Sequence, residues 1–285
     1  MFKFDFSNNE EARGVLNDKN EENKNLTWLP ATEIEITDEQ FSKKLSERDY
    51  ITITFENVEL KMIKSESAIL NLKAKKHDKI IKAESQHSDL IPAIYEGGLK
   101  IWECSYDLGK YFYSQNIFCK NSKVLDLGCG TGIIGILALL KGCTVHFQDY
   151  NSEVIELVTI PNVLLNLEDR QKIEKNTQFY AGDWERFVEL LIKKYPNETE
   201  KYDVISTCET IYNSYNYQKL YQVFKQQLKK DGVGYIAGKV HYFGIGGNMK
   251  EFEKLIKTDN VFNVETVWRS EEGLQREILK LTHRH

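Results

Sequence analysis

Between residues 123 and 281, short apolar segments typical of strands alternate with amphipathic segments typical of helices. Strands that alternate with helices form a mainly parallel sheet with helices on both faces, so the pattern predicts an α/β domain. The seven predicted strands are residues 123–127, 144–148, 177–181, 202–207, 232–237, 262–268 and 275–281. The segment between the last two strands is too short for a crossover helix. These strands are therefore predicted to form a hairpin, with the seventh strand antiparallel.

Amphipathic segments separate the first six strands. The five predicted helices are residues 133–141, 152–166, 184–194, 218–229 and 250–257. Pro161 lies inside the second of them. Because proline lacks a backbone N–H and clashes with the preceding turn, we expect this helix to be broken into two pieces. The pattern as a whole predicts a Rossmann-like sheet.

The first third of the chain differs in character from the rest. Residues 1–24 are rich in Asn, Glu, Asp and Lys, which predicts a solvated or disordered lead-in. Residues 25–88 are predicted to form an N-terminal extension, and residues 89–285 the main domain. The chain is therefore expected to hold one α/β domain with an extension in front of it.

Within the extension, residues 27–36 contain spaced apolar side chains and are predicted to be an extended arm packed on a larger body. Residues 51–55 and 57–63 alternate between apolar and polar side chains, which predicts a β-hairpin. The lysine-rich segment 65–86 is predicted to be a mobile connection.

Composition excludes several classes of function. Lys and Arg number 38 against 43 Asp and Glu, giving a net charge of −5, whereas a protein that binds nucleic acid directly needs a basic face. An acidic chain is better matched to a basic protein partner. The longest nearly unbroken apolar run, residues 133–140, is far shorter than the roughly 20 residues that a membrane span needs.

Cysteine and histidine usage argues against disulfides and metal sites. The five cysteines are an odd number without a Cys-x-x-Cys pair, and the six histidines are dispersed. The N-terminus lacks the apolar stretch of a secretory signal. We therefore expect a reduced protein inside the cell, in the cytoplasm, the nucleus or both.

A glycine-rich turn follows the first predicted strand of the main domain. Asp126 precedes Gly128, Gly130 and Gly132, and the next helix is predicted to begin at Ile133. Such a turn lets a ligand approach the backbone closely, and the helix N-terminus attracts anionic groups. The dinucleotide fingerprint would need glycine at position 133, so it does not match. The turn instead resembles the first motif of the seven-strand S-adenosylmethionine (SAM)-dependent methyltransferases.

Acidic residues also follow the next two strands. Asp149 lies about 20 residues beyond the first glycine, where a carboxylate accepts hydrogen bonds from both hydroxyls of a ribose. Gly182, Asp183 and Trp184 follow the third strand, and in such folds the adenine edge lies here. The alternatives are a helix cap for Asp149 and a core position for Trp184.

Four segments carry a closer resemblance. Residues 89–104 (DLIPAIYEGGLKIWEC), 147–151 (FQDYN), 209–213 (ETIYN) and 239–244 (KVHYFG) are similar to the eukaryotic protein-histidine methyltransferase family. The similarity covers residues 89–281, with a weaker echo at Trp28, Leu29 and Pro30. It implies a SAM-dependent enzyme that methylates a histidine ring in a large-subunit ribosomal protein, a basic partner. We also expect the protein to be a monomer.

The motifs and the resemblance together give the predicted cofactor site. Its residues are Ile101, Trp102, Glu103, Cys104, Ser105, Asp126, Gly128, Cys129, Gly130, Gly132, Gln148, Asp149, Tyr150, Gly182, Asp183, Trp184, Thr207 and Cys208. At Cys208 the family pattern leads us to expect serine. S-adenosyl-L-homocysteine (SAH) would be the product.

The predicted catalytic residues are Glu209, Asn213 and His241. Histidine needs little activation, because its pKa near 6.5 leaves a lone pair free at cellular pH. The acid at the end of the fourth strand, Glu209, is predicted to orient the target ring. Tyr212 and Asn213 can hold the substrate, and His241 can enclose the ring. A helix cap and a structural histidine are the alternatives.

Three rival functions remain open from the sequence. Glu209 and Tyr212 resemble the acid-x-x-Tyr signature of several protein methyltransferases, so a protein-lysine methyltransferase on the same fold is the first rival. The second is a non-catalytic SAM-binding factor in ribosome assembly, and the third is a small-molecule methyltransferase.

Overall fold

The computed structural model describes residues 27–42, 49–74, 80–81 and 90–284. The predicted lead-in, residues 1–24, lies outside the described residues. Among the described residues, no helix has both the length and the apolar composition to cross a membrane.

The main sheet has eight strands in the described part of the chain. In chain order the strands of the protein are β1 Thr32–Ile34, β2 Tyr50–Phe55, β3 Val58–Ile63, β4 Lys123–Leu127, β5 Thr144–Asp149, β6 Thr177–Ala181, β7 Tyr202–Cys208, β8 Leu228–Lys239, β9 Phe262–Arg269 and β10 Arg276–His283. The sheet order is β1-β6-β5-β4-β7-β8-β10-β9, and β2 pairs with β3 in a separate hairpin. Strands β4 to β8 are parallel. Strand β10 runs antiparallel to both β8 and β9.

All seven predicted strands of the main domain are confirmed, and so is the antiparallel seventh strand. The largest difference is in β8, which begins at Leu228, four residues before the predicted start. Leu228 pairs with Tyr202, and the register then shifts before Val204 pairs with Val233. This irregularity extends β8 back to the end of the preceding helix, which the hydrophobic pattern alone did not indicate.

The helices surround the sheet. They are α1 Asp38–Ser42, α2 Ser65–Ala74, α3 Glu103–Ser114, α4 Ile133–Leu140, α5 Ser152–Val154, α6 Ile160–Asn166, α7 Arg170–Asn176, α8 Trp184–Lys194, α9 Tyr217–Gln227 and α10 Met249–Asp259. A π-helical turn, Ile155–Thr159, joins α5 to α6, and Pro161 is the second residue of α6. The backbone stays helical from Val154 to Ile160, so the helix is irregular before Pro161 and is not broken into two separate pieces as predicted.

Two predictions for the extension have different outcomes. The hairpin is confirmed as β2 and β3. The prediction of a mobile connection is wrong over residues 65–74, where α2 forms and buries Ala68 and Leu72. Residues 75–79 and 82–86 of that segment lie outside the described residues.

Helix α3 was not predicted, although its sequence carries a signal. Cys104, Leu108 and Phe112 recur at helical spacing and are buried. The hairpin packs on this helix, since a Cβ added at Gly109 would lie 2.5 Å from Phe55 Cε1. The side chains of the hairpin thus join the same apolar core as the main sheet.

The predicted extended arm is confirmed, and the structure makes part of it a strand. Strand β1 pairs antiparallel with β6, with Thr32 opposite Ala181 and Ile34 opposite Phe179. The arm therefore forms one edge of the main sheet.

Helix α4 approaches β5 so closely that only glycine fits at position 135. A Cβ there would lie 2.1 Å from Phe147 Cε1. Replacing glycine by alanine inside a helix gains up to about 1 kcal/mol in helix propensity, whereas overpacking costs about 1–3 kcal/mol. We therefore expect Gly135→Ala to lower the free energy of unfolding, measured by urea denaturation.

The matched control is Lys141→Ala, an exposed position directly after the same helix. It should change stability by no more than about 0.5 kcal/mol. A Gly135→Ala protein as stable as the control would contradict the close packing.

Candidate functional site

A cavity opens at the carboxyl ends of β4, β5, β6 and β7. It is lined by these predicted residues: Trp102, Ser105, Asp126, Gly128, Cys129, Gly130, Asp149, Tyr150, Gly182, Asp183, Trp184, Cys208 and Glu209. Sequence reasoning missed these lining residues: Trp28, Glu96, Gly97, Gly98, Lys100, Thr131, Ile133, Ile134, Thr210 and Asn216. Tyr212, predicted to hold the substrate, lines the cavity as well. Ligands of open parallel sheets bind at this edge, so the cavity is the candidate site.

The glycine loop forms the floor of the cavity. Gly128, Gly130 and Gly132 have φ angles of +63°, +49° and +78°, in the region that favours glycine. Asp126 Oδ2 accepts a hydrogen bond of 2.9 Å from the backbone N–H of Gly135, which fixes the first turn of α4. Burial raises the pKa of Asp126 to about 7. The loop therefore presents backbone rather than side chains to a ligand.

Asp149 has the geometry of a ribose acceptor. Its Oδ2 accepts from Gly130 N at 2.9 Å and its Oδ1 from Asn151 N at 3.2 Å. Each carboxylate oxygen has two lone pairs, so one on each oxygen remains for a hydroxyl donor. Burial raises the pKa of Asp149 to about 6, so the carboxylate is mostly ionised at neutral pH.

Gln148 is placed behind the cavity wall and does not line it. Its Nε2 donates to the carbonyls of Asp149 and Gly182 at 2.9 and 2.8 Å. Its Oε1 accepts from Trp184 Nε1 at 2.9 Å. These bonds satisfy the donors and the acceptor of a buried amide. As a result, Gln148 connects the end of β5 to the end of β6 and fixes the indole of Trp184.

Asp183 is engaged by protein groups on two sides. One oxygen accepts from Glu185 N at 3.1 Å and caps α8, and the other lies 2.6 Å from Lys219 Nζ. Lys219 Nζ also lies 3.7 Å from the ring centroid of Trp28. Contact of Asp183 with an adenine amine stays a prediction.

Glu209 follows β7 and has an unusual backbone. Its φ is +56°, a conformation that costs a non-glycine residue about 1–3 kcal/mol and that clusters at functional sites. Its Oε2 accepts from Tyr242 OH at 2.6 Å, and its Oε1 lies 3.8 Å from Lys239 Nζ. Oε1 is buried and has no hydrogen-bond partner among the described residues. Glu209 lines the cavity, so the site contains a carboxylate with one oxygen that lacks a hydrogen-bond partner among the described residues.

A second carboxylate–tyrosine pair lies beside the first. Tyr212 OH donates to Glu96 Oε2, and Ala93 N donates to Glu96 Oε1 at 3.1 Å. Burial raises the pKa of Glu96 despite these bonds. The rings of Tyr212 and Tyr242 are 6.5 Å apart. Glu96 belongs to the family-like segment 89–104, which was the available signal for it.

The remaining predicted cofactor residues lie outside the cavity lining. Thr207 Oγ1 donates to the Leu127 carbonyl at 2.7 Å, and Cys104, in the first turn of α3, points into the core. Ile101 packs against the same core. Glu103 is exposed, and its Oε2 lies 3.1 Å from Lys239 Nζ.

Two predicted catalytic residues, Asn213 and His241, also lie outside the cavity lining. Gly132, the third glycine of the loop, lies outside it as well. Asn213 Oδ1 accepts from Tyr215 N at 3.1 Å, so Asn213 caps the short helical turn Ser214–Asn216, as the helix-cap alternative proposes. His241 is exposed on the loop after β8, beside Phe243. Gly132 packs against Phe147. No group of three or more metal-binding side chains occurs in the described part of the chain.

The fold and this site define a methyltransferase of Rossmann-like architecture, a class whose methyl donor is SAM. A family model described as "Methyltransferase domain" matches residues 119–282, more than half of the chain. The chain belongs to this family.

Curated relatives show which methyltransferases this chain is similar to. The chain is 43% identical over 226 residues to "Histidine protein methyltransferase 1 homolog" of Bos taurus, covering 72% of this chain and 60% of the relative. It is 42% identical over 199 residues to the protein of the same name in Dictyostelium discoideum, covering 69% and 61%. The chain thus spans about 60% of the length of these curated relatives.

A solved structure shares the fold. "A putative sam-dependent methyltransferase from Streptococcus mutans" matches with a TM-score of 0.52 at 12% identity, covering 84% of this chain and 57% of that one. This likeness shows the fold alone.

The Asp149 geometry makes a prediction about cofactor affinity. Asp149→Ala should weaken SAM binding by about 1.5–3 kcal/mol for each lost hydrogen bond to a charged acceptor. Because the pKa of Asp149 is about 6, lowering the pH through 6 neutralises the acceptor and should weaken binding to the wild-type chain. The alanine variant should show a flatter pH dependence. Calorimetry between pH 5 and 8 checks both; equal affinity of variant and wild type at pH 8 would remove Asp149 from the site.

Proposed function

We propose that this chain is a SAM-dependent protein-histidine N-methyltransferase whose substrate is a basic protein of the large ribosomal subunit. Family membership and the names of the curated relatives support the reaction. The observation that carries the proposal is Glu209, which lines the cavity and whose buried Oε1 has no hydrogen-bond partner among the described residues.

The residues present fit the cofactor. When bound, SAM supplies an electrophilic methyl group on a sulfonium. Asp149 offers an acceptor on each carboxylate oxygen for the ribose hydroxyls. Gly128 and Gly130 line the cavity with backbone at positive φ, and the contact of Gly128 with Thr210 leaves no room for a side chain, since a Cβ there would lie 2.6 Å from Thr210 Cγ2. Trp184 lines the same end of the cavity as Asp149 and offers an aromatic surface for the adenine.

Glu209 is proposed to orient the target imidazole. The neutral ring has a lone pair on one nitrogen and a proton on the other. If Oε1 accepts the N–H, the tautomer is fixed and the lone pair of the other nitrogen is directed at the methyl carbon. The ring becomes a methylimidazolium as its nitrogen–carbon bond forms and the sulfur–carbon bond breaks, with the electron pair left on sulfur. The methylated ring then releases its N–H proton to water as the product leaves the cavity.

The surroundings of Glu209 keep it in its acceptor role. Tyr242 OH holds Oε2, and the Lys239 ammonium lies on the side of Oε1. A carboxylate held in this way is a fixed acceptor whose position is set before the substrate arrives. Misplacing reacting atoms by about 1 Å can cost on the order of 100-fold in rate, so fixing the ring matters more than removing a proton.

The loop after β8 supports a protein substrate. Phe243 and Ile245 are 81% and 49% exposed, and exposed apolar side chains next to a site are typical of protein-binding surfaces. The loop is anchored beside the site, because a Cβ at Gly247 would lie 2.1 Å from the carbonyl oxygen of Ile211. Tyr242, in the same loop, bonds Glu209. The net charge of −5 is consistent with a basic partner.

The test of the function is transfer of a labelled methyl group from SAM to purified large-subunit ribosomal proteins, read by mass spectrometry. Label on a histidine, lost when that histidine is replaced by alanine, supports the proposal. Label on lysine indicates a lysine methyltransferase instead. SAM binding without any single-turnover transfer indicates a non-catalytic factor.

The orienting role of Glu209 predicts a graded response. Glu209→Gln keeps an acceptor oxygen and should retain more methyl transfer than Glu209→Ala, which we expect to lose on the order of 100-fold in kcat. SAM affinity should barely change in either variant. Equal and complete loss in both would indicate a required base, and full activity of the alanine variant would remove Glu209 from the mechanism.

The exposed loop predicts an effect on substrate binding alone. Phe243→Ala should raise KM for the protein substrate several-fold while kcat and SAM affinity stay unchanged, because the side chain lies outside the cavity lining. Leu274→Ala, at another exposed apolar position in the β9–β10 turn, is the control. The same KM for Phe243→Ala and the control would remove the loop from the substrate surface.

A further inference from the structure

The N-terminal arm crosses the cavity rim at the ends of β5 and β6. Leu29 N donates to Tyr150 OH at 3.2 Å, and the Leu29 carbonyl accepts from Asp183 N at 3.1 Å. Beyond these contacts the arm continues into β1, which pairs with β6. The arm is therefore attached to the main domain at residues 29–34, directly after Trp28, which lines the cavity.

Gly182 is shaped to the arm. Its φ is +115°, and a Cβ there would lie 2.3 Å from the Pro30 carbonyl oxygen and 2.8 Å from Ala31 Cα. A side chain at position 182 would push the arm away from the cavity. The glycine that the sequence places in the cofactor motif thus also makes room for the passage of the arm.

Trp28 itself is held from two directions. Its ring meets the Tyr150 ring edge-on, with centroids 6.0 Å apart at 85°. Lys219 Nζ lies 3.7 Å from its ring centroid, and the same ammonium pairs with Asp183 at 2.6 Å. Cation–π and aromatic edge contacts each stabilise a ring position. The indole is therefore fixed in place before any ligand binds.

The end of the cavity where Trp28 lies is the nucleoside end. Tyr150, Gly182, Asp183 and Trp184 line it with Trp28, next to the ribose acceptor Asp149. Aromatic side chains bind nucleobases through their faces and edges without needing a particular base. Two tryptophans from distant parts of the chain thus converge on one end of the cavity.

We propose that Trp28 is a wall of the adenine subsite, so that the N-terminal arm is a working part of the cofactor site. This inference rests on the proposed function, because it takes SAM as the ligand. It assigns a binding role to a segment that precedes the methyltransferase domain. The arm would contribute to the binding affinity for every ligand that carries the adenosine moiety. It would not contribute to recognition of the methionine moiety.

The test compares Trp28→Ala with Leu29→Ala in the full chain. Leu29 is the matched control, since its backbone makes the arm contacts while its side chain is 41% exposed. Calorimetry with SAH and with adenosine should give affinities about tenfold weaker for Trp28→Ala in both cases, and unchanged for Leu29→Ala. Trp28→Phe should lie between the alanine variant and wild type.

Different results overturn different claims. If wild type binds neither SAH nor adenosine, the proposed function fails and the inference falls with it. If wild type binds both and Trp28→Ala binds equally well, only the inference fails. Hydrogen exchange on the wild type does not depend on the folding of a variant. SAH should slow exchange of the Leu29 and Asp183 amides, and unchanged exchange would also overturn the inference.

Discussion

The site depends on the hydrogen bond from the Gly130 amide to the Asp149 carboxylate, 2.9 Å long. It joins the loop after β4 to the end of β5. It therefore fixes the distance between the loop backbone and the Asp149 carboxylate at the carboxyl ends of the strands. The loop can reach this position only because its glycines adopt positive φ. The loop continues into α4, and the close packing of α4 against Phe147, which requires Gly135, fixes that end of the loop.

Carboxylates are concentrated at this edge, and most of them are destabilised there. Burial raises the pKa values of Asp126, Asp149 and Glu96, which means that the folded chain disfavours their charged forms. Glu209 adds a left-handed backbone to the same region. A protein keeps such features where the ligand makes use of them, and the rest of the fold must offset their cost.

The sequence predicted what depends on local pattern. The seven main strands follow from hydrophobic runs separated by amphipathic ones, and the glycine loop from its spacing. The sequence did not predict Trp28 and Glu96 as site residues. They reach the cavity through contacts with residues far away in the chain, such as those of Trp28 with Tyr150 and Lys219. Gln148 was predicted to touch the cofactor as part of the family-like segment 147–151. Successive side chains of a strand point to opposite faces, so Gln148 is behind the wall.

The charge around Glu209 bears on the choice between histidine and lysine. A lysine amine, with a pKa near 10.4, must lose a proton before it can attack, which costs about 4–5 kcal/mol at neutral pH, whereas a neutral imidazole has its lone pair already. An unbalanced carboxylate would help to bind the ammonium. Glu209 accepts a hydrogen bond from Tyr242 OH and lies 3.8 Å from the Lys239 ammonium, which is nearer to Glu103 at 3.1 Å and is shared between the two carboxylates. It still offers an acceptor for an N–H. The cost of deprotonating an amine, together with the names of the curated relatives, supports histidine over lysine as the proposed methyl acceptor.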